Sequence, residues 1–376
     1  LQRMAASVFF TESVTVEGLK AKHDKVTRGG GKIKILIVPG HDNDSFGTTF
    51  NGVREADMTV FLGEELFRLF SLASEYEPVL VRDRSGYTPA FKDYFARDAA
   101  SIRVFALGKK KIMYDLEKTG QVHRAESVVR GAALSEVVFR LYAINKWANE
   151  NRVDIVLHLH FNDYPGRIPH RSGRYEGFSF YIPDSQYSNA RASRAVAESL
   201  LLQLATFYSE SNLPFENGGI VPDQELIAIG AYNTLDPASV LIEYGYIYET
   251  RFQDASIRAA FMKELALQTY IGVNRFFGKF EEAFRRYPTS FLPHEWRVPL
   301  AEGQYRNPSV LSLQAALFLE GVYPPGGDKR ACPITGSFGP CTRRAVAMFQ
   351  QKYGIAPVTG HAGAATLAKL NERYGY

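Results

Sequence analysis

A short apolar run that stops abruptly at a turn constrains the fold of this chain most. Residues 33–38 read Ile-Lys-Ile-Leu-Ile-Val and are followed at once by Pro39 and Gly40. A β-branched run of this length is typical of a strand that is buried on both faces of a parallel sheet. Similar runs occur at 78–81, 154–160, 178–181 and 240–243. The chain is therefore expected to build a sheet of several buried strands.

Amphipathic segments separate these runs. Apolar residues recur at helical spacing over about 58–69, 133–147, 195–204 and 255–278. Strands that alternate with helices predict an α/β domain with a mainly parallel, twisted sheet and helices on both faces.

The length of 376 residues exceeds the usual span of one core, so a second unit is expected. Residues 1–31 are interpreted as an N-terminal extension and 32–282 as the main domain. Within it, about 86–130 is a poorly patterned insertion whose Gly-Lys-Lys-Lys run at 108–111 is interpreted as a solvated loop. The proline-rich stretch 283–304 is interpreted as a linker, and 305–376 as a small separate domain of short helical segments.

Composition excludes several classes of protein. Lys and Arg number 44 against 40 Asp and Glu, a bias too weak to indicate nucleic-acid binding. No apolar run approaches the roughly 20 residues that span a bilayer. The two cysteines, Cys332 and Cys341, cannot form a cysteine zinc site, and either one disulfide or two free thiols fits them.

The residues that suggest chemistry stand at strand ends. His41 follows the first run, His160 ends the run 154–160, Glu243 ends the last, and Glu55 begins a helix. Ligands bind outside the carboxyl ends of parallel strands, so these side chains are expected to converge. Two imidazoles and a carboxylate suit zinc with an open position for water. Each residue also has an ordinary structural explanation, such as the helix dipole for Glu55.

These residues lie in motifs that resemble the zinc-dependent N-acetylmuramoyl-L-alanine amidases of the Amidase_3 type. The resemblance covers about 33–278 and rests on four stretches in the family's order. They are Ile37-Val38-Pro39-Gly40-His41 with Gly47 and Glu55, Val81-Arg82, the stretch from Asp154 to Asn162, and Leu241-Ile242-Glu243-Tyr244-Gly245-Tyr246. The chain departs from the family pattern at Asp42-Asn43-Asp44 and at His158, where the family has glycines and serine.

The resemblance implies a role for each residue at the strand ends. His41, Glu55 and His160 would be the zinc ligands, and Glu243 the catalytic carboxylate. His158 and Asn162 would be candidates for supporting positions around the ligands, with plain packing as the alternative for His158. The insertion 86–130 has no counterpart in the family pattern; it is interpreted as a surface loop, with a lid over the zinc site as the alternative.

The C-terminal stretch resembles a second family, the peptidoglycan-binding type 1 domain, a three-helix module that binds bacterial cell wall. The match includes Leu313-Gln314, the loop Gly336-Ser337-Phe338-Gly339, Phe349-Gln350 and Thr359-Gly360. Cys332 and Cys341 flank that loop, so a disulfide between them would brace it.

Together the resemblances imply a zinc enzyme that cleaves the amide between N-acetylmuramic acid and L-alanine in peptidoglycan. The expected location is extracytoplasmic, in the periplasm or cell envelope or as a secreted protein, and a start at Leu1 favours a removed export signal or anchor. Peptidoglycan is the expected partner, nucleic acid is not, and any activating protein is unidentified. Two alternatives stay open: a zinc carboxypeptidase or amidohydrolase acting on stem peptides, and a non-catalytic wall-binding protein.

Overall fold

The structure is a computed structural model that describes residues 11–26, 29–125, 134–164, 166–286 and 288–376. The helices are α1 (Val16–Val26), α2 (Glu55–Ser71), α3 (Pro89–Arg97), α4 (Ala99–Lys118), α5 (Ser135–Glu150), α6 (Ala190–Phe207), α7 (Ala255–Phe276), α8 (Phe280–Arg286), α9 (Pro308–Leu319), α10 (Pro340–Lys352) and α11 (Ala364–Tyr374). The strands are β1 (Ile33–Pro39), β2 (Thr49–Phe50), β3 (Val53–Arg54), β4 (Tyr76–Leu80), β5 (Arg82–Asp83), β6 (Gly86–Tyr87), β7 (Ile155–Asn162), β8 (Ser179–Pro183), β9 (Ile220–Asp223) and β10 (Ala238–Tyr246).

Six strands form one sheet in the order β4-β1-β7-β10-β8-β9. All neighbours are parallel except β8 and β10, which run antiparallel. The predicted α/β class with a mainly parallel sheet is therefore confirmed. The carboxyl ends of β1, β7 and β10 lie side by side at one edge, where His41 follows β1 and His160 is paired with Glu243.

Alternate residues of the central strands supply two apolar layers. On one face, Ile35, Leu157 and Ile242 pack in a core that includes buried residues of α2, α6 and α7. On the other face, Leu36 and Val156 pack in a core with residues of α3 and α5. Burial on both faces explains why the strand sequences are continuously apolar.

Two segments that lacked a clear pattern are helical in the structure. Within the predicted extension 1–31, α1 buries Leu19 and His23, and the ring of His23 stacks on Phe277 at 4.4 Å. The basic run 108–111 lies inside α4 and is not the loop that we expected. Lys109 Nζ bonds the carbonyl of Asn233 at 2.8 Å, and Lys110 Nζ lies 5.1 Å from the centre of the Tyr142 ring. Long lysine stems cover apolar surface while keeping the charge at its edge, so a basic run can belong to a packed helix.

The proline-rich stretch 283–304, predicted as a linker, packs against both of its neighbours. Trp296 is buried; its backbone and Asn371 of α11 exchange hydrogen bonds of 2.8 and 2.9 Å. Phe291 packs on Phe261 of α7, with ring centres 5.4 Å apart, and Ser290 donates to the buried carboxylate of Glu264. The stretch between the two domains is therefore held by contacts with both of them.

The C-terminal module, α9–α11, is organised by two buried glutamines with the same bonding pattern. Gln314 accepts from the amides of residues 335 and 336 and donates to the hydroxyl of Thr342. Gln350 accepts from the amides of residues 359 and 360 and donates to the hydroxyl of Thr366. Each glutamine thus holds a Thr-Gly turn against the start of the next helix. Cys332 and Cys341 form a disulfide in this module. Among the described residues, no helix is both long and apolar enough to cross a membrane.

Candidate active site

Three potential metal ligands converge at the carboxyl edge of the sheet. His41 Nε2 lies 3.2 Å from Glu55 Oε2, and His160 Nδ1 lies 2.9 Å from Glu55 Oε1. One ligand atom from each residue lies within 4.8 Å of the other two. The residues come from the turn after β1, the first position of α2 and the end of β7, so the sheet and one helix fix their positions. We call them the metal triad.

Two glycines allow this close approach. A Cβ atom at Gly40 would lie 2.3 Å from the His160 ring, and one at Gly47 would lie 2.4 Å from Glu55 Oε2. Gly47 also has a φ of +73°, and His41 itself has a φ of +62°. A left-handed conformation is unfavourable for histidine, so the surrounding structure has to impose it.

Glu55 is the buried centre of the metal triad. Its carboxylate accepts from the amide of Thr48 at 3.0 Å and from the amide of Phe161 at 3.1 Å. Burial by itself would raise the pKa of Glu55, but the two neighbouring imidazoles outweigh burial and lower it below the usual range. The carboxylate is therefore ionised and oriented before any ligand arrives.

Arg82, at the start of β5, connects the turn that carries His41 with the start of α2, which carries Glu55. Its buried guanidinium donates to the carbonyls of Pro39 (3.1 Å), Gly40 (2.8 Å) and Ala56 (2.9 Å), and to the hydroxyl of Thr59. Gly40 directly precedes His41 and Ala56 directly follows Glu55. In the sequence, Arg82 is visible only as part of the Val81-Arg82 motif, because its acceptors are backbone carbonyls that no sequence pattern reveals.

Asp42 orders the loop after His41, where the chain departs from the family's glycines. Its Oδ1 accepts from the amides of Asp44 and Ser45, and its Oδ2 accepts from Arg140 of α5 at 2.6 Å. Burial opposes ionisation, but the two amides and Arg140 outweigh it and lower the pKa of Asp42. Asp42, which stands where the family has glycine, is thus held by an ion pair with Arg140 on the other side of the site.

A cavity of about 510 Å³ opens beside the metal triad, between the sheet and α5. His158, His160 and Glu243 line it on the sheet side, while Leu141 and Ile144 of α5 belong to its apolar wall. Glu243 is in register with His160 on the neighbouring strand, so the two side chains emerge on the same face of the sheet. Of the described part of the insertion 86–130, Tyr87 alone lines this cavity.

The two supporting candidates are placed differently. His158 is buried, its imidazole bonds the backbone of Ala228, and burial together with His160 lowers its pKa to about 3. Its Nε2 is buried with no hydrogen-bond partner among the described residues. Asn162 donates to Glu216 at 2.7 Å and is thereby held outside the metal triad.

Comparison with known sequences decides the family. Residues 35–275 match the N-acetylmuramoyl-L-alanine amidase family, which is well over half of the chain. The chain belongs to this amidase family. Residues 306–370 match the peptidoglycan binding domain. The protein is therefore a peptidoglycan-hydrolysing amidase with a wall-binding module, and its substrate implies that it acts outside the cytoplasm. None of the curated proteins compared with the chain is similar enough to count as a match.

Several solved amidase structures resemble the chain over the same region. The CwlD amidase of Clostridioides difficile, solved in complex with the GerS lipoprotein, is 14% identical, with a TM-score of 0.42 over 66% of this chain and 99% of CwlD. AmiC2 of Nostoc punctiforme is 15% identical, with a TM-score of 0.37 over 67% of this chain and 98% of AmiC2. Ami1 of Mycobacterium smegmatis is 16% identical, with a TM-score of 0.41 over 66% of this chain and 99% of Ami1. These values are too low to support an argument, so the family assignment rests on the sequence match.

Proposed function

We propose that this amidase is a zinc enzyme in which His41, Glu55 and His160 hold the metal and Glu243 transfers the proton. The observation that carries the proposal is the metal triad itself, whose ligand atoms lie within 4.8 Å of one another at the mouth of a cavity. Two imidazoles and one carboxylate are a ligand set that zinc uses in hydrolases. Zinc bound there would polarise the scissile carbonyl and lower the pKa of a water molecule.

Residues of the protein would position the ligands, transfer the proton and exclude water. Glu55 is held by the amides of Thr48 and Phe161, and the turn of His41 is held by the hydrogen bonds of Arg82. Little reorganisation would therefore be needed when the metal binds. Glu243, opposite His160, would accept a proton from the attacking water and deliver it to the departing amide nitrogen of L-alanine. The apolar wall of α5 would exclude bulk water from the reacting bond.

We assign His158 a supporting role at this site. A lowered pKa keeps its imidazole neutral, and its bond to Ala228 leaves Nε2 as the nitrogen without a protein partner in the described structure. Asn162 would act more remotely, through the buried Glu216 that it shares with the hydroxyl of Tyr181.

We further propose that the protein works in the periplasm, in the cell envelope or after secretion. The disulfide between Cys332 and Cys341 supports this proposal, since disulfides persist in oxidising compartments.

Digestion of purified peptidoglycan, analysed by mass spectrometry, tests the proposed reaction. We expect free stem peptides that begin with L-alanine, no such products after treatment with a chelator, and recovery when zinc is restored. Shortened stems that remain attached to the glycan would indicate a carboxypeptidase. Wall binding without any cleavage would indicate a non-catalytic protein.

A further inference from the structure

A second cavity lies away from the metal triad, between the amidase domain and the C-terminal module. Its volume is about 240 Å³. Arg174, Glu176, Glu249 and Arg251 line it from the amidase side, and Lys329 and Arg330 from the module. We call it the interdomain cleft. Sites that enclose a whole small molecule have volumes of about 300–1,000 Å³, so this cleft suits one group of a larger polymer.

The interdomain cleft carries an excess of positive charge. Its four cations face two carboxylates, and each carboxylate already belongs to an ion pair. Glu249 lies 2.8 Å from Arg251, and Glu176 lies 3.3 Å from Arg330. The charges of the other two cations, on opposite sides of the cleft, are therefore not cancelled by these acids.

Arg174 and Lys329 are the two cations outside these pairs. Arg174 donates to the hydroxyl of Tyr175 at 2.6 Å, and its guanidinium lies 4.8 Å from the centre of the same ring. Lys329 bonds the backbone carbonyl of Ala205, and burial lowers the pKa of its ammonium group, although the carboxylate of Glu210, which lies beyond ion-pair distance, acts in the opposite direction. Among the described residues, neither cation has a carboxylate within ion-pair distance. An anion that entered the cleft would meet one such cation from each domain.

The contacts around the cleft also hold the two domains together. Arg330 donates to the carbonyl of Glu210 at 2.7 Å, and Phe207 packs against Phe318 with ring centres 4.7 Å apart. Because the module is docked on the amidase domain, cations of both domains line the same cleft. A fixed pair of charges selects an anion more strongly than charges on a flexible tether.

We propose that the interdomain cleft binds a carboxylate group of the peptidoglycan stem peptides, so that the module and the amidase domain grip the polymer jointly. This inference rests on the proposed function for the identity of the polymer. It assigns Arg174 and Lys329 as the residues that contact the carboxylate. The module then fixes the position of the polymer relative to the metal triad, in addition to raising its local concentration.

Wall binding by charge-neutral variants tests the inference. The full chain carrying E243Q, which prevents digestion during the assay, is combined with R174Q, with K329Q or with both. Each protein is sedimented with purified peptidoglycan, either native or with its carboxyl groups converted to amides. R68Q, which removes a charge from the exposed side of α2, is the matched control. Thermal unfolding checks that the domains stay folded.

We expect each variant to bind native walls about 2- to 5-fold more weakly, as for a partly exposed ion pair. On amidated walls, the variants should bind as well as their parent, which should itself bind more weakly there than to native walls. Arg174 is exposed and Lys329 also bonds Ala205, so R174Q measures charge without disturbing the domain contact. Equal losses on native and amidated walls, or no loss with R174Q, would overturn the inference.

The outcome can be separated from that of the proposed function. A protein with intact Glu243 that binds walls through their carboxylates but releases no stem peptides would refute the proposed reaction alone. Release of stem peptides without any dependence of binding on wall carboxylates would refute the interdomain cleft alone.

Discussion

The region around the metal triad and the C-terminal module differ in how completely their buried polar groups are hydrogen-bonded. In the module, Gln314 and Gln350 satisfy both ends of their amides within the protein. No buried side-chain nitrogen or oxygen of the described residues 288–376 lacks a hydrogen-bond partner. At the sheet edge, by contrast, two imidazoles and a carboxylate are gathered around one point, and His158 keeps a buried nitrogen without a partner.

The difference separates stability from function. An unpartnered buried polar group costs about 1–3 kcal/mol, so the interior of the module is stabilised by satisfying its polar groups internally. The proposed metal triad differs because its imidazoles and carboxylate would also have to offer lone pairs to a metal, although Glu55 already accepts from two backbone amides. Substitution of a buried polar residue in the module should therefore mainly lower the free energy of unfolding. At the carboxyl edge of the sheet, polar substitutions should mainly lower the rate of amide cleavage or the affinity for zinc.

The largest effect is expected from Glu243→Gln. The substitution keeps the shape of the side chain but removes the proton acceptor, so the rate of amide cleavage should fall by about 10²- to 10⁴-fold. Zinc content and melting temperature should stay close to those of the parent. Glu198→Gln, on an exposed position of α6, is the control and should not change the rate. Full activity of zinc-loaded E243Q would remove Glu243 from the mechanism.

The next effect concerns Arg82, which would influence zinc binding only through the turn of His41 and the start of α2, the two segments that its hydrogen bonds join. Arg82→Met should weaken zinc binding by about 10- to 100-fold, measured by competition with a chromophoric chelator. Arg82→Lys should recover only part of this loss, because one ammonium group cannot reach all of the acceptors. If R82M lowered the melting temperature but left zinc affinity unchanged, Arg82 would stabilise the fold without positioning the ligands.

In the module, Gln350→Ala should leave the amides of residues 359 and 360 without their acceptor. We expect a loss of about 2 kcal/mol in the free energy of unfolding, with zinc affinity unchanged. Gln351→Ala, at the exposed neighbouring position of α10, should cost much less. The comparison of the two regions would fail if Q350A were as stable as Q351A in urea denaturation.

The smallest effect is a pH dependence carried by Glu320, a residue that α11 and the end of α10 surround with donors. Lys352, Tyr353 and Tyr374 bond its carboxylate at 2.6–2.7 Å. Burial opposes ionisation, but these donors and Arg373 outweigh it and lower the pKa of Glu320 to about 2.

A carboxylate with a lowered pKa stabilises the fold above its unfolded-state pKa, and this stability is lost as the pH falls toward the folded-state value. The difference in unfolding free energy between wild type and Glu320→Gln should therefore be about 1 kcal/mol at pH 7 and shrink between about pH 4.5 and pH 2. Lys352 and Arg373, the cations that face Glu320, are nearly half exposed, so solvent screening limits the size of this difference in free energy. A difference that did not change with pH would show that the charge of Glu320 contributes nothing.

Much of the fold and the candidate site could be predicted from local sequence. The apolar runs at 33–38, 154–160 and 240–243 indicated buried strands because few other structures can hide continuous β-branched side chains. Their ends indicated where ligands would meet because parallel strands share an edge. His41, Glu55, His160 and Glu243 could thus be named before the structure, although their roles as ligands and proton carrier remain proposals.

What local sequence could not show depends on partners that are distant in the chain. The lysines of α4 look like a solvated loop until Tyr142 and Asn233 are placed beside them. Arg82 draws its role from backbone carbonyls that carry no sequence signal. Trp296, in the stretch predicted as a linker, is buried, and its backbone bonds Asn371, which lies 75 positions away and leaves no local pattern.

The sequence by itself thus determined the strand order along the chain, the family and the residue types at the sheet edge, because those depend on side-chain chemistry and local periodicity. Only the tertiary structure decided that the wall-binding module is docked, and that Arg174 and Lys329 face one cleft from different domains. Hydrophobic burial and hydrogen bonding between distant segments set those positions, and neither leaves a local pattern to read.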